Sequence, residues 1–149
     1  MNEAHEWDLR GHPAFLVAID EYKKRAIESQ GKLSADELVN RNIKQLNALF
    51  TLIYGTVPSN PADPKFRLGN TLGEKYRHWL RAKFRQQYRV FFRYSTRSQA
   101  IVYAWVNDDE TLRAYGSKTD AYVFFRKLLE SGKVPNNWIE LVAESKRLS

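Results

Sequence analysis

The sequence predicts an α+β protein in which N-terminal and C-terminal helices pack on an antiparallel β-sheet whose edge is either antiparallel or mixed. Apolar residues in the first third of the 149-residue chain recur at helical spacing, whereas the middle third alternates with a period of two. A helical pattern returns after residue 118. Because strands and helices are segregated along the chain, the pattern indicates the α+β class.

Two helices are predicted after a short extended start at residues 7–10. The first begins at Pro13, a residue that suits the first helical position, and ends near Gly31. The second begins at Ser34, which forms a capping-box pattern with Glu37, and stops at Gly55 and the proline-rich stretch 58–64. The apolar stripes are Phe15, Ile19, Tyr22 and Ala26 in the first helix and Val39, Ile43, Leu46, Phe50 and Ile53 in the second.

Two neighbouring strands are predicted at residues 79–84 and 88–94, where basic and apolar side chains alternate. If they form a hairpin, a three-residue loop at 85–87 pairs Lys83 with Arg89 and Arg81 with Phe91, which keeps the basic residues on one face. A two-residue loop would pair Phe84 with Arg89 and mix the faces. The three-residue loop is therefore favoured, although it lacks Gly, Asn and Asp.

The third strand, Ala100 to Val106, is apolar throughout and is predicted to be central, with both faces covered. A helix from about Thr119 to Ser131, closed by Gly132, follows it. A last short helix is predicted from Trp138 to Leu148.

The positive charge is concentrated in one third of the sequence. The whole chain has a formal net charge of +7. Residues 65–97, the basic segment, hold ten basic residues and the single acid Glu74, so this segment carries +9 and the rest of the chain −2. A concentrated field of one sign attracts polyanions, of which nucleic acid is the commonest. Seven of the ten bases are Arg, whose planar fork suits phosphate.

Several classes of protein are excluded by what the sequence lacks. With no cysteine and three histidines, it offers no disulfide scaffold, no thiol catalysis and little to hold a metal. The motifs GxxxxGK[ST], GxGxxG, HExxH and GxSxG are absent. No apolar run approaches the roughly 18 residues of a membrane span, and the acidic start does not resemble a signal peptide. We expect one cytoplasmic domain, residues 1–149, without metal, cofactor or membrane anchor.

The alternation of the strands places a basic surface on one side of the predicted sheet. Guanidinium and ammonium groups there can hold the phosphates of RNA, while Phe91, Tyr115 or Trp79 can stack on unpaired bases. Such a surface could also cleave RNA by attack of a ribose 2′-hydroxyl on the neighbouring phosphate. That reaction needs a proton acceptor, cations that stabilise the developing charge, and a proton donor for the 5′-oxygen.

Five segments carry a family resemblance: FRLGNTLG at 66–73, WLRAKF at 79–84, YRVFFRYS at 88–95, AWVND at 104–108 and TLRAYGSKTDAY at 111–122. They resemble the YhaV family of toxins, the ribonuclease halves of type II toxin–antitoxin pairs, within the RelE-like superfamily. The resemblance implies a RelE-like fold and ribosome-dependent cleavage of messenger RNA, which inhibits translation and growth. It also implies neutralisation by a PrlF-type, AbrB-like antitoxin, with operator DNA bound only by the toxin–antitoxin complex.

The resemblance also implies site residues. RelE-like toxins use two basic residues two apart on a strand, an Arg after the hairpin turn and a Tyr after the last strand, and Arg81, Lys83, Arg89 and Tyr115 match these positions. After the last strand the superfamily often has a further basic residue or His, whereas residues 107–110 here are Asn-Asp-Asp-Glu. Either Arg113 replaces that basic residue, or an acidic residue is the proton acceptor. We expect Lys83 and Tyr115 to transfer protons, because arginine is effectively never deprotonated. Arg81, Arg89 and Arg113 are the expected charge stabilisers. The remaining RNA-binding candidates are Lys75, Arg77, Arg85, Phe91, Arg93 and Lys118.

Each of these residues also has a structural interpretation. Arg81 and Lys83 could form salt bridges beneath a helix, Arg93 could bind an acid such as Glu37 or Asp120, and the Tyr115 ring could pack over the sheet edge. At the level of function, the alternative to an endoribonuclease is a non-catalytic RNA- or DNA-binding module that acts as a corepressor with its antitoxin. Both functions predict salt-sensitive binding of nucleic acid.

Overall fold

The computed structural model describes residues 6–30, 37–109 and 120–148, and its architecture confirms the α+β prediction. Helices and strands follow one another in the order β1 (Asp8–Gly11), α1 (Pro13–Gln30), α2 (Glu37–Thr51), β2 (Leu80–Phe84), β3 (Tyr88–Ser95), β4 (Ala100–Val106), α3 (Asp120–Glu130), α4 (Trp138–Glu144) and β5 (Lys146–Arg147). Single turns of 3₁₀-helix lie at Pro64–Phe66 and Glu74–Tyr76.

The five strands form one mixed sheet in the order β2-β3-β4-β1-β5. The pairs β2–β3 and β3–β4 are antiparallel, as predicted, whereas the extended start β1 pairs parallel with β4. All seven residues of β4 are buried, which confirms the prediction that this strand is central.

Helices cover both faces of the sheet, and each face has its own apolar cluster. Val90 and Phe92 of β3 belong to the cluster beneath α1 and α2, whereas Phe91 between them belongs to the cluster beneath α3 and α4. This is the period-two alternation that the sequence shows. The basic face of the β2–β3 hairpin is consequently the face on which α3 and α4 pack.

The sequence predicts that the second helix stops at Gly55, but the helix continues beyond this residue. It continues through a π-helical turn, Leu52–Thr56, into a last helical turn, Val57–Ser59. Leu52, Ile53 and Val57 are all buried, and their burial outweighs the roughly 1 kcal/mol by which glycine disfavours a helix interior. The predicted start at Ser34, like the predicted end of α1 at Gly31, lies outside the described residues.

The last predicted helix is also shorter than expected, since α4 ends at Glu144 and not at Leu148. Ser145 leaves the helix in an extended conformation, and its side chain and carbonyl accept hydrogen bonds from Arg10 at 2.7 and 3.1 Å. The chain then adds β5 to the sheet edge, where the Leu148 N–H donates to the Leu9 carbonyl at 2.9 Å. Pairing with β1 thus replaces the hydrogen bonds that a longer helix would make.

The helix before it, α3, ends one residue earlier than predicted and is followed by Gly132 at φ +80°, as expected for a glycine that closes a helix. In the described parts of the chain, no helix is both long and apolar enough to cross a membrane.

Candidate functional site

The β2–β3 hairpin has the three-residue loop that the sequence favours, with Lys83 opposite Arg89 and Arg81 opposite Phe91. Without glycine, the loop turns by placing Arg85 at φ +46° and Gln86 at φ +66°. The left-handed region costs an ordinary residue about 1–2 kcal/mol. Hydrogen bonds to the loop carbonyls offset this strain, because Arg89 Nη1 donates to the Gln86 carbonyl at 2.7 Å and Asn107 Nδ2 to the Gln87 carbonyl at 3.1 Å.

Two arginines from the paired strands converge on one tyrosine hydroxyl from α3. Arg81 Nε and Arg89 Nε each donate a hydrogen bond to the Tyr122 hydroxyl oxygen at 3.1 Å. The two Nε atoms therefore lie at most twice that distance apart. Arg89 is 5 % exposed, and its guanidinium is fixed further by the Gln86 and Tyr88 carbonyls. We call Arg81, Arg89 and Tyr122 the arginine–tyrosine site.

Both guanidinium groups keep donors for a ligand. Arg81 Nη1 donates to the carbonyls of Lys65 and Arg67 at 3.0 and 3.3 Å. Among the described residues, the Nη2 group of neither arginine has a partner, and no described side-chain nitrogen is both buried and unpaired. Each Nη2 group therefore reaches solvent. The arrangement can hold a phosphate with charged N–H groups from two sides.

The two arginines also change the acidity of Tyr122. Burial raises the pKa of this phenol, but the hydrogen bonds and positive charges of Arg81 and Arg89 outweigh it, so its pKa lies below the ordinary value of 10.0. Because the oxygen accepts two hydrogen bonds from cations, the hydroxyl proton is directed away from them and can be donated to a ligand.

Lys83 lies beside this site on the same face of the hairpin. Its partner across the ladder is Arg89, and side chains of directly opposed residues are neighbours. The side chain is exposed and, within the described ranges, makes no hydrogen bond or ion pair. The salt-bridge interpretation of Arg81 and Lys83 has no support in these ranges, since neither residue forms an ion pair there.

Asn107 holds the backbone of Arg89 in position from the end of β4. Its buried side chain accepts a hydrogen bond from the Arg89 N–H at 2.7 Å and donates to the Gln87 carbonyl. Its own carbonyl accepts a hydrogen bond from the Tyr22 hydroxyl at 2.6 Å. The asparagine therefore connects the strained loop to α1.

The acids that follow Asn107 are engaged in ion pairs. Asp108 lies 4.0 Å from Arg25, and Asp109 bonds Arg41 at 3.2 Å as well as the Tyr88 hydroxyl. Burial, and then the hydrogen bond and charge of Asp109, raise the pKa of Tyr88 to about 12. These contacts give the two acids structural roles beside the hairpin.

Two of the aromatic residues expected to contact RNA do not, and those predictions are wrong. Phe91 is fully buried, stacked on Phe125 with ring centroids 4.4 Å apart and flanked by Trp105 and Tyr122. Trp79 is fully buried as well. Strand alternation does place Phe91 on the face that carries the basic side chains. Because α3 covers the middle of that face, no RNA nucleobase can reach the ring.

Arg93 has the structural role that the sequence left open, and its described partners are a backbone carbonyl and two tryptophan rings. Its Nη1 donates to the Asn136 carbonyl at 2.5 Å, whereas the side chains of Glu37 and Asp120 lie outside the described part of the structure. Its guanidinium lies 5.6 Å from the centroids of both the Trp79 and the Trp138 rings. The other predicted RNA-binding residues, Lys75, Arg77 and Arg85, are exposed. Arg113, Tyr115 and Lys118 lie outside the described residues.

Sequence reasoning missed Tyr122. The signal was present, because Ala121, Phe125 and Leu129 form the buried stripe of α3 and Tyr122 directly borders it. A tyrosine at the margin of an apolar stripe can bury its ring and keep its hydroxyl for a polar partner. No group of three or more His, Asp or Glu residues that could hold a metal occurs in the described part of the chain.

Comparisons with known proteins show the family to which the chain belongs. Residues 9–146 match the sequence model of the YhaV toxin family, described as a toxin with endonuclease activity, of a toxin–antitoxin system. The chain is 38 % identical over 141 residues to "Ribonuclease toxin YhaV" of Escherichia coli (strain K12), covering 93 % of this chain and 92 % of that protein. "Toxin YhaV" of Escherichia coli O157:H7 shows the same identity and coverage. No solved structure gives a significant match. The chain therefore belongs to the YhaV family, toxins with endonuclease activity that form part of toxin–antitoxin systems.

Proposed function

We propose that this toxin is an endoribonuclease that cleaves messenger RNA and thereby inhibits translation and growth. The observation that carries the proposal is the convergence of Arg81 and Arg89 on the Tyr122 hydroxyl, with the Nη2 group of each arginine left for a phosphate. The name "Ribonuclease toxin" of the K12 relative supports RNA as the substrate.

The proposed reaction begins with attack of a ribose 2′-hydroxyl on its neighbouring phosphorus. Lys83 is the proposed acceptor of that hydroxyl's proton, since its amine makes no hydrogen bond or ion pair with described residues and lies opposite Arg89. The new P–O2′ bond gives a pentacoordinate phosphorane, whose added negative charge Arg81 and Arg89 stabilise.

The reaction ends when the P–O5′ bond breaks and the Tyr122 hydroxyl donates its proton to the leaving 5′-oxygen. A phenol whose pKa is lowered by two adjacent cations gives up this proton more readily than ordinary tyrosine. The products are a 2′,3′-cyclic phosphate and a 5′-hydroxyl, and no metal takes part. Tyr115 and Arg113 keep the roles that the family resemblance implies, as a second proton-transfer group and a further cation.

Membership in a toxin–antitoxin family supports the proposed physiological setting. In this proposal the substrate is messenger RNA on the ribosome, and a cognate PrlF-type, AbrB-like antitoxin neutralises the toxin in the cytoplasm. Operator DNA is bound only by the toxin–antitoxin complex.

The test is expression of the toxin without antitoxin, comparing wild type with the double variant Arg81→Ala, Lys83→Ala. The matched control is Lys146→Ala, Arg147→Ala, which removes the same two types of charge from β5, at the opposite edge of the sheet. The Arg147–Asp8 ion pair lost in the control is a surface pair, worth about 0–1 kcal/mol.

We expect the site variant to lose messenger cleavage and growth arrest while the control keeps both. Cleavage is followed with free and with ribosome-bound message. A site variant that remains toxic contradicts the endoribonuclease proposal and favours the non-catalytic binding module.

A further inference from the structure

A second basic surface lies at the opposite end of β3 from Arg89. It is a groove of about 590 Å³, lined by the cationic and aromatic residues Arg67, Arg77, His78, Arg93, Arg97 and Trp138 together with Leu80 and residues 94–96. None of the described residues that line it is acidic. We call it the Arg93 groove.

The floor of the Arg93 groove is built around Asn136. The Trp79 indole N–H can only donate, so the Asn136 side-chain atom 2.8 Å from it is the acceptor Oδ1. His78 Nε2 lies 2.8 Å from the same oxygen and must therefore donate its proton too. The Asn136 backbone carbonyl in turn fixes Arg93 between the Trp79 and Trp138 rings.

The rim carries cations that the protein itself does not use. Arg67, Arg77 and Arg97 are exposed, and in the described part of the chain their side chains make no hydrogen bond or ion pair. The groove thus combines one immobilised arginine and three available ones with the partly exposed ring of Trp138. Cations interleaved with an aromatic ring are the features that bind the backbone and bases of single-stranded nucleic acid.

The Arg93 groove meets the arginine–tyrosine site along the edge of the sheet, where its rim residue Arg67 contacts Arg81. Arg89 and Arg93 lie on the same face of β3, about 13 Å apart along the strand, and Phe91 between them is buried beneath α3. Arg67, on the rim, accepts a hydrogen bond from Arg81 through its carbonyl. An extended RNA strand whose scissile phosphate lies at Arg81 and Arg89 can therefore pass over Arg67 at this edge and enter the groove.

We propose that the Arg93 groove binds the phosphates of single-stranded RNA that flank the cleaved bond. The identity of the ligand as RNA rests on the proposed function. The edge contact between Arg67 and Arg81 and the partly exposed Trp138 ring favour RNA over an acidic segment of a partner protein.

The experiment measures binding and not cleavage, so that it can fail independently of the proposed chemistry. Fluorescence anisotropy with a 12-nucleotide single-stranded RNA, over a range of salt concentrations, compares wild type, Arg77→Ala, Arg97→Ala and the β5 control Lys146→Ala, Arg147→Ala. Both pairs remove two positive charges from exposed positions. Melting temperatures establish that the variants are folded.

We expect the groove variant to bind RNA about tenfold more weakly, with a slope of log affinity against log salt that is smaller by about 1.4, since each lost phosphate contact on a single strand contributes about 0.7. The control should retain wild-type affinity. Should the double variant not fold, Arg77→Ala and Arg97→Ala are measured singly, each with an expected slope change of about 0.7.

Three results would overturn the inference while leaving the cleavage proposal intact: unchanged affinity in the groove variants, equal loss in the control, or normal RNA affinity with loss of antitoxin binding. The last result would assign the groove to the protein partner. Conversely, weaker RNA binding in the groove variant together with toxicity of the Arg81→Ala, Lys83→Ala variant would support the groove and refute the cleavage site.

Discussion

Replacing Tyr122 by Phe removes one oxygen atom and tests the centre of the arginine–tyrosine site. The hydroxyl accepts hydrogen bonds from Arg81 Nε and Arg89 Nε, both at 3.1 Å. The lost bonds involve charged donors, one of them on an arginine that is 5 % exposed, so we expect unfolding free energy to fall by about 1–3 kcal/mol. Loss of a general acid should lower the rate of RNA cleavage by roughly 10²–10⁴-fold.

The assay is single-turnover cleavage of RNA under conditions in which the wild type is active, with urea unfolding of the same preparations. Tyr76→Phe is the matched control, because Tyr76 lies in the same apolar cluster and its hydroxyl has no hydrogen bond within the described ranges. We expect the control to retain the wild-type rate.

The pH dependence separates an acid from a structural phenol. An acid must be protonated to act, so the wild-type rate should fall as pH rises through the lowered pKa of Tyr122, beginning below pH 10. The residual activity of Tyr122→Phe should lack this alkaline limb. If Tyr122→Phe is folded and cleaves at the wild-type rate, or keeps the limb, Tyr122 is not the proton donor.

Three further predictions concern the supports of the site. Asn107→Asp keeps the acceptor for the Arg89 N–H but loses the donor to the Gln87 carbonyl. The unfolding free energy measured in urea should therefore fall by about 1–3 kcal/mol, and the rate of RNA cleavage should fall as well. Unchanged stability would contradict the positioning role of Asn107. Gln86→Gly relieves the backbone strain of a residue at φ +66° and should raise the unfolding free energy by up to about 1 kcal/mol. Gln86→Ala should not raise it. Equal effects of the two substitutions would show that the loop is unstrained. An unfolded tyrosine ionises near pH 10, whereas the pKa of folded Tyr88 is raised to about 12. The unfolding free energy should therefore decline as pH rises from 10 to about 12. Thermal melts of Tyr88→Phe should show a shallower decline, and an identical profile would contradict the raised pKa.

The hairpin register could be predicted from the sequence, because an odd or an even number of loop residues determines which side chains share a face. Basic residues at 81, 83 and 89 share a face only when the loop has an odd number of residues, and the structure has the three-residue loop. The central position of β4 was predictable for a similar reason, since an uninterrupted apolar strand has to be covered on both faces.

Helix docking was not predictable in the same way. Alternation shows that Phe91 and Arg89 point to the same side of the sheet, but not that α3 covers Phe91 and leaves Arg89 in contact with Tyr122. Packing of the segment around Trp138 likewise places Arg93 against a backbone carbonyl and two tryptophans, contacts that no local pattern of the sequence predicts. Contacts between distant segments depend on the angle and register at which a helix packs, and no local pattern contains that information.

Local rules also failed where tertiary contacts compensate for them. Helical structure continues past Gly55, because buried apolar residues follow it. Residues 146–147, which the sequence predicts to be helical, pair with β1 as a strand. In both places, packing or ladder hydrogen bonds stabilise what intrinsic propensity disfavours.

The central claim is that the arginine–tyrosine site cleaves RNA through its own 2′-hydroxyl. The most direct measurement uses two RNAs that differ by one 2′-deoxy substitution at the cleaved nucleotide, with the ends of the products identified by mass spectrometry. The account predicts a 2′,3′-cyclic phosphate and a 5′-hydroxyl from the all-ribose RNA, and no cleavage at the substituted position. Cleavage of the substituted RNA at the same bond, or products with a 3′-hydroxyl and a 5′-phosphate, would contradict it.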